Sequence, residues 1–347
     1  MRVDDDRVFL IKNAQAIPRD SYVQTSPSGR VQYLRGHAVT KQVVAGATLG
    51  VNHVDELFPE VRELSESCEE VFRIYASANL YAGWKSDNGF NIHWDTHDTL
   101  IVQAVGSKDW KVWQPTRIHP LADEPLELVP TPTTEPAWQG VLEEGDVLYM
   151  PRGWWHVAYP RNELSLHITI ALRHPTGLDL VAWTMRQLRD CQELRMDVPH
   201  WAAQEERMSW LRRVRDACTR VLDDDAITAY FSSLDEAAVS RPIVRLPESA
   251  TASPIAGVGD SSPLRLSRGR RLQLHLASGV GSVSFKAQGV EWRCHASLAP
   301  ALALLSHVKP CTVRDMIGIV EADAERLVRP FILGLMMSDV VWADVEP

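Results

Sequence analysis

The chain has 347 residues, 45% apolar and 23% charged, a composition that excludes disordered and collagen-like architectures. No run approaches the roughly 18 apolar residues of a membrane span, and the opening MRVDDDRVFLIK is acidic where a secretory signal would be basic. The net charge of −9 argues against a nucleic-acid binder that relies on a general positive field. Cys68, Cys191, Cys218, Cys294 and Cys311 are odd in number and lack CxxC spacing. That excludes a thiolate zinc site and favours a reducing, cytoplasmic setting over a disulfide framework.

Up to about Pro175 the chain is rich in short strand-like runs punctuated by Gly and Pro. Thr99–Val105, Trp110–Gln114, Asp146–Met150 and Ser165–Leu172 are examples, and such a series reads as a sandwich or barrel. One helix is predicted over Asp55–Ile74, with Leu57, Val61, Leu64, Cys68, Val71 and Phe72 at helical spacing. From Gly177 to about Leu234 the pattern turns helical. Leu178, Val181, Met185 and Leu188 share one face; Trp210, Val214, Ala217, Cys218 and Val221 share another. These faces pack on a core or against a second copy of the chain. Pro242–Pro263 reads as a linker. Beyond it, Leu298–Leu305, a helix capped by Thr312 and running through Ile319, Ala322–Met337 and a closing strand Val340–Trp342 suggest a winged-helix unit. The Arg265, Arg268, Arg270, Arg271 cluster at its start reads as a solvated basic segment.

The segment that carries chemistry is Gly89–Trp113. His93 and Asp95 stand at i and i+2, on the same side of an extended strand. A third ligand follows about sixty residues on. In EEGDVLYMPRGWWHV, Gly145-Asp146 is a turn, Val147–Met150 a strand and Pro151-Arg152-Gly153 a tight turn before His156. Two histidines and one carboxylate form a facial triad, which leaves three positions of an octahedral metal open, as non-haem Fe(II) oxygenases require. His97 and Asp98 are rival ligands, and spacing alone does not exclude His97. His37, His53 and His119 lie in less regular context and read as structural. Seven of the twelve tryptophans fall between Trp84 and Trp155. Trp110 and Trp113 are expected in the core. Of Trp154 and Trp155, one is expected to face the site and one the sheet.

The run Asn79-Leu80-Tyr81, Gly89-Phe90, His93-Trp94-Asp95, Gln103, Gly106-Ser107-Lys108, Trp110, Pro151 to His156 and Ser165 to Thr169 resembles the JmjC-type ribosomal oxygenases, which are cupin-like protein hydroxylases. The resemblance is close over about residues 79–172. It implies Fe(II) as metal, with 2-oxoglutarate and O2 as cosubstrates. His93, Asp95 and His156 would ligate the iron. Lys108 would pair with the distal carboxylate of 2-oxoglutarate, and Asn79, Tyr81 and Thr169 would line its pocket, with His167 nearby. It implies a mixed α and β chain: a double-stranded β-helix (jelly-roll) catalytic domain over 1–176, a helical dimerisation domain over 177–241, the linker 242–263 and a winged-helix-like domain over 264–347. The implied activity is hydroxylation of a side chain in a protein or peptide, ribosomal proteins being the family's usual targets, by a homodimer. Lysine demethylation would use the same iron centre. Trp84, Trp94 and the loop Ala82–Asp87 depart from the family pattern near the substrate entrance. A biosynthetic peptide or an amino-acid-derived small molecule is therefore an open alternative substrate. A non-catalytic metal-binding cupin is a further alternative, although it has no need of Lys108.

Overall fold

A computed structural model of the chain describes residues 7–28, 30–85, 89–124, 130–238, 241, 258–276 and 281–343. The chain divides into two compact units, Met1–Cys68 with Tyr75–His174, and Glu69–Ile74 with Pro175–Pro347. No helix among the described residues is long and apolar enough to cross a membrane.

The first unit begins with β1 (Val8–Lys12), β2 (Gln15–Ala16) and a hairpin of β3 (Val23–Thr25) and β4 (Gln32–Leu34). Helix α1 (Gly36–Val44), β5 (Thr48–Val51), helix α2 (Pro59–Phe72) and β6 (Ala76–Gly83) follow. The remaining strands are β7 (Asp98–Val105), β8 (Lys108–Trp113), β9 (Trp138–Leu142), β10 (Val147–Met150), β11 (Trp155–Pro160) and β12 (Ser165–Leu172). They form a seven-stranded sheet, β10-β7-β12-β6-β5-β1-β2, and a three-stranded sheet, β11-β8-β9. The core is the expected jelly roll. Alternation decides what points inward: β7 buries Thr99, Ile101 and Gln103, and β8 buries Lys108, Trp110 and Val112.

Two devices set the register at the deep end of this core. Gly106 turns the chain from β7 to β8 at φ +63°, and a Cβ there would sit 2.0 Å from the Leu164 carbonyl oxygen. Only glycine meets both conditions. The fully buried Gln103 amide donates to the carbonyls of Val105 and Gly106 and to Ser165 Oγ. It thereby ties the turn to β12.

The predicted helix Asp55–Ile74 is split. A single 3-10 turn covers Val54–Glu56, and α2 starts at Pro59, a residue whose fixed φ and missing N–H suit a first helical turn. Its faces match the expectation from spacing only in part: Cys68 is buried as expected. Leu64, Val71 and Phe72 are exposed, while Ser65, Glu66 and Glu69 are buried. Partners account for two of these. Ser65 Oγ donates back to the Val61 carbonyl, and Glu69 pairs with Arg241 at 2.9 Å.

The second unit carries α3 (Gly177–Gln187), α4 (Gln192–Arg195), α5 (Gln204–Val221) and α6 (Ala226–Ala237). A reciprocal capping box of Thr176 and Asp179 starts α3. Leu178, Val181 and Met185 on its apolar face are exposed, as is Trp201 beyond α4. Most of the predicted linker Pro242–Pro263 lies outside the described residues. After it come β13 (Leu264–Leu266), β14 (His275–Leu276), β15 (Ser282–Ala287), β16 (Val290–His295), α7 (Ala299–Ala303), α8 (Val313–Ile319), α9 (Glu325–Met337) and β17 (Val341–Ala343). Strand β17 pairs with β13, and the capping box at Thr312 starts α8 as predicted. The β14-β15-β16 meander between strand and helices is an addition to the sequence reading.

The arginine cluster is corrected by the structure. Arg268 and Arg270 are buried, not solvated. Arg270 Nη1 donates to Asp235 Oδ1 at 2.6 Å, and Arg268 Nη1 donates to the carbonyls of Asp235 and Ala238. A carboxylate buried as deeply as that of Asp235 requires cationic partners, and Arg73 and Gln273 complete its shell. Arg265 is spent on the carbonyls of His307 and Val308, and Arg271 on Glu70.

Candidate metal centre

His93-Trp94-Asp95 does not lie on a strand. His93 forms one isolated antiparallel bridge with His156. The bridge has both bonds: His93 N–H to the His156 carbonyl at 3.1 Å, and His156 N–H to the His93 carbonyl at 2.7 Å. Gly153 N–H donates to the Asp95 carbonyl at 2.9 Å. The tight turn holds Gly153 at φ +82°, where a Cβ would meet Pro120 and the Arg117 carbonyl. Backbone bonds therefore bring together two segments about sixty residues apart.

The three side chains converge. One ligand atom from each of His93, Asp95 and His156 lies within 4.8 Å of the others. His156 Nε2 is 3.7 Å from Asp95 Oδ2, and the two imidazoles are 4.3 Å apart. His93 Nδ1 is 2.8 Å from the Asn91 carbonyl, and His156 Nδ1 is 3.1 Å from the Trp154 carbonyl. Each Nδ1 therefore carries the proton and each Nε2 lone pair is left for a metal. Burial, and then His93, push the His156 pKa down to about 4, so its ring is neutral and ready to ligate at physiological pH.

The rivals are placed elsewhere. His97 is outside the cluster, and its buried Nδ1 has no hydrogen-bond partner among the described residues. Asp98 is occupied: it accepts from the Tyr149 hydroxyl at 2.5 Å and from Arg152 N–H at 2.9 Å, and lies 3.5 Å from His174. It steadies the turn that presents His156. Trp110 is in the core as expected, but the expectation for Trp154 and Trp155 needs correction. Neither Trp154 nor Trp155 lines the cavity, whereas Trp110 does while also packing in the core. Trp155 is turned away, edge-on to Trp94, with its Nε1–H on Thr116.

A cavity of about 220 Å³ opens between the sheets beside the triad. Lys108, Tyr81 and Thr169 line it; Asn79 is not among the lining residues. Asn79 Oδ1 instead accepts from His53 N–H at 3.1 Å, and its side chain bonds Tyr81. Along β8 and β11, Val112 stands opposite His156, Trp110 opposite Ala158 and Lys108 opposite Pro160. Four strand positions thus separate the histidine level from the lysine level, roughly 13 Å of backbone. Lys108 is buried, and burial pushes its pKa down to about 7. Its amine lies 2.8 Å from His167 Nδ1. Burial, then the charge of Asp95, raise Tyr81 to about 12, so its hydroxyl stays protonated. Thr99 also lines the cavity, and its buried Oγ1 lacks a partner among the described residues. Nothing in the sequence distinguishes this threonine from others on a strand.

Residues 55–180 match the model of the JmjC domain family. The bifunctional lysine-specific demethylase and histidyl-hydroxylase NO66 of Drosophila persimilis is 31% identical over 127 residues, 36% of this chain and 18% of that protein. Its counterpart in Caenorhabditis elegans is 35% identical over 115 residues, 31% of this chain and 15% of that protein. The chain thus spans less than a fifth of either relative. In fold it is similar to the Escherichia coli ribosomal oxygenase YcfD in complex with cobalt and 2-oxoglutarate: TM-score 0.58 at 15% identity, covering 98% of this chain and 87% of that one. The expected resemblance to JmjC proteins is therefore found over residues 55–180. The chain carries a JmjC domain, within a fold shared along its length with a ribosomal oxygenase.

Proposed function

We propose that this protein is an Fe(II)- and 2-oxoglutarate-dependent oxygenase that hydroxylates a side chain in a protein or peptide. The observation that carries the reading is one cavity with a His93–Asp95–His156 donor set at one end and a buried lysine at the other. The donor set suits Fe(II): two neutral imidazoles and a carboxylate leave positions for a bidentate 2-oxo acid and dioxygen. The lysine suits the cosubstrate. Among the described residues Asp95 is the one carboxylate lining the cavity, and it belongs to the triad, so Lys108 meets no other protein anion among them and a dicarboxylate would supply one.

When bound, iron, 2-oxoglutarate and dioxygen supply the oxidising chemistry, which ends in succinate, CO2 and a hydroxylated product. The chain's part is placement. The carbonyls of Asn91 and Trp154 orient the two imidazoles and raise their basicity. Lys108 and Thr169 would hold the distal carboxylate, and Thr99 offers an unspent hydroxyl. Phe90, Trp110 and Ile101 add apolar wall between these polar groups.

A protein or peptide substrate is favoured by the histidyl-hydroxylase relatives. The exposed apolar face of α3 and the exposed Trp201 support a homodimer through the 177–241 helices. The β13–β17 pairing around α7, α8 and α9 supports a winged-helix-like reading of 264–347. Thiols without disulfides suit the cytoplasm. The test is Fe(II)-loaded protein with 2-oxoglutarate and a proteome digest. Succinate release with a +16 Da peptide supports the reading. Metal binding without 2-oxoglutarate binding would favour the non-catalytic cupin.

A further inference from the structure

The deep end of the cavity holds a pair that metal ligation does not explain. Lys108 comes from the three-stranded sheet and His167 from the seven-stranded one. Both are buried, and Nζ lies 2.8 Å from Nδ1. The ring is clamped on two sides, stacked on Tyr81 at 5.2 Å and met edge-on by Trp110 at 5.6 Å. Among the described residues, this ring is the amine's one hydrogen-bond partner. A lysine amine rides on a flexible four-carbon stem and would otherwise range over the cavity.

With the lysine protonated, the bond has a direction. An ammonium has three donors and no acceptor, so Nδ1 accepts and the imidazole proton sits on Nε2. A bond in this sense requires a neutral histidine. Burial, then the charge of Lys108, hold the His167 pKa well below the ordinary imidazole value. The pair therefore carries one positive charge when loaded, on the lysine, with two ammonium hydrogens free for an anion. The groups facing it are Tyr81, whose phenol is neutral, and, farther off, His156.

We infer that His167 is a positioning residue for the dicarboxylate cosubstrate: its Nδ1 holds the Lys108 amine where the distal carboxylate docks. This rests on the function proposed above. It assigns the lysine's aim, and not only its charge, to a second residue on the opposite sheet.

The experiment uses the full chain loaded with Co(II) or Fe(II), and compares wild type with His167→Phe and His167→Asn. Phenylalanine keeps the ring stacking and removes the acceptor. Asparagine restores an acceptor oxygen close to the Nδ1 position. Titration calorimetry reads the affinity for 2-oxoglutarate, and turnover reads KM and kcat. H167F should weaken 2-oxoglutarate binding about tenfold to a hundredfold, with metal affinity unchanged and the loss in KM more than kcat. H167N should recover most of the affinity. Thermal unfolding is read first, and His167→Leu replaces H167F if the phenyl ring prevents folding. A folded H167F that binds 2-oxoglutarate within about twofold of wild type overturns the inference. So does an H167N no better than H167F, which would leave His167 a packing residue. Wild-type protein that binds metal but no 2-oxoglutarate overturns the proposed function instead.

Discussion

Lys108 should cost the ligand-free protein stability, and Lys108→Met should return it. The fold lowers the lysine pKa from 10.5 to about 7 through burial. The folded state thus disfavours the charged form. Sign follows from this: above pH 10.5 the lysine is neutral in both states and there is no penalty. As pH falls from 10.5 towards 7 the unfolded chain takes up a proton that the folded chain refuses, and stability declines. Below 7 both are protonated and the penalty is constant. At about 1.4 kcal/mol per pH unit the ceiling is about 5 kcal/mol, with about 4 kcal/mol at pH 7. Methionine fills a similar volume with no charge. It leaves His167 Nδ1 without its donor, an unpaired buried acceptor worth about 1–3 kcal/mol. The net is a gain of about 2 kcal/mol at pH 7. The assay is denaturant unfolding of metal-free wild type and variant at pH 7, 8.5 and 10. The gain should shrink with rising pH and reverse by pH 10, and the variant should lose 2-oxoglutarate binding. A variant less stable than wild type at pH 7, or a difference independent of pH, refutes the reasoning.

Alanine at His93, Asp95 or His156 should abolish stoichiometric Co(II) binding followed by absorption, while His97→Ala retains it; the opposite pattern would transfer the ligand role to His97. Gly106→Ala forces a Cβ to 2.0 Å from a carbonyl oxygen at φ +63° and should destabilise by more than about 1 kcal/mol in urea unfolding. Asp235→Ala leaves Arg270 buried without its carboxylate and should cost about 3–5 kcal/mol by the same measurement; a value below about 1 kcal/mol would mean the arginines find water. Light scattering should give about twice the 38.9 kDa chain mass, and a mass of one chain at micromolar concentration would remove the dimer.

What the sequence disclosed depended on how local its causes were. Ser165–Leu172 forms a strand with the predicted bounds because alternation is a property of eight adjacent residues. Thr312 caps its helix because the partner Asp315 is three positions on. The meander at 275–295 had a local signal that went unread: Gln288-Gly289, both at positive φ, joins two paired runs. Other features had no local cause. The HWD segment is held by His156 and Gly153, so no window around residue 93 reveals that it is not a strand. Arg268 and Arg270 look solvated until Asp235 is placed beside them. The triad residues were legible because chemistry restricts their types, whereas Thr99 is ordinary in every respect but its position.

The bridge between His93 and His156 bears on which metal the protein carries. Main-chain bonds hold together the two backbone segments that carry the donor set, so this framework does not depend on an ion to organise it. A site formed in this way does not discriminate by collapsing onto one ionic radius. Among divalent first-row ions, two imidazoles and a carboxylate then bind in the Irving–Williams order, with Fe(II) below Co(II), Ni(II) and Cu(II). Selectivity passes from the protein to the cell, which supplies iron in exchangeable form and keeps the tighter-binding ions scarce. Protein isolated in air should therefore arrive with a mixed metal content, and its activity should follow its history of chelation and reloading.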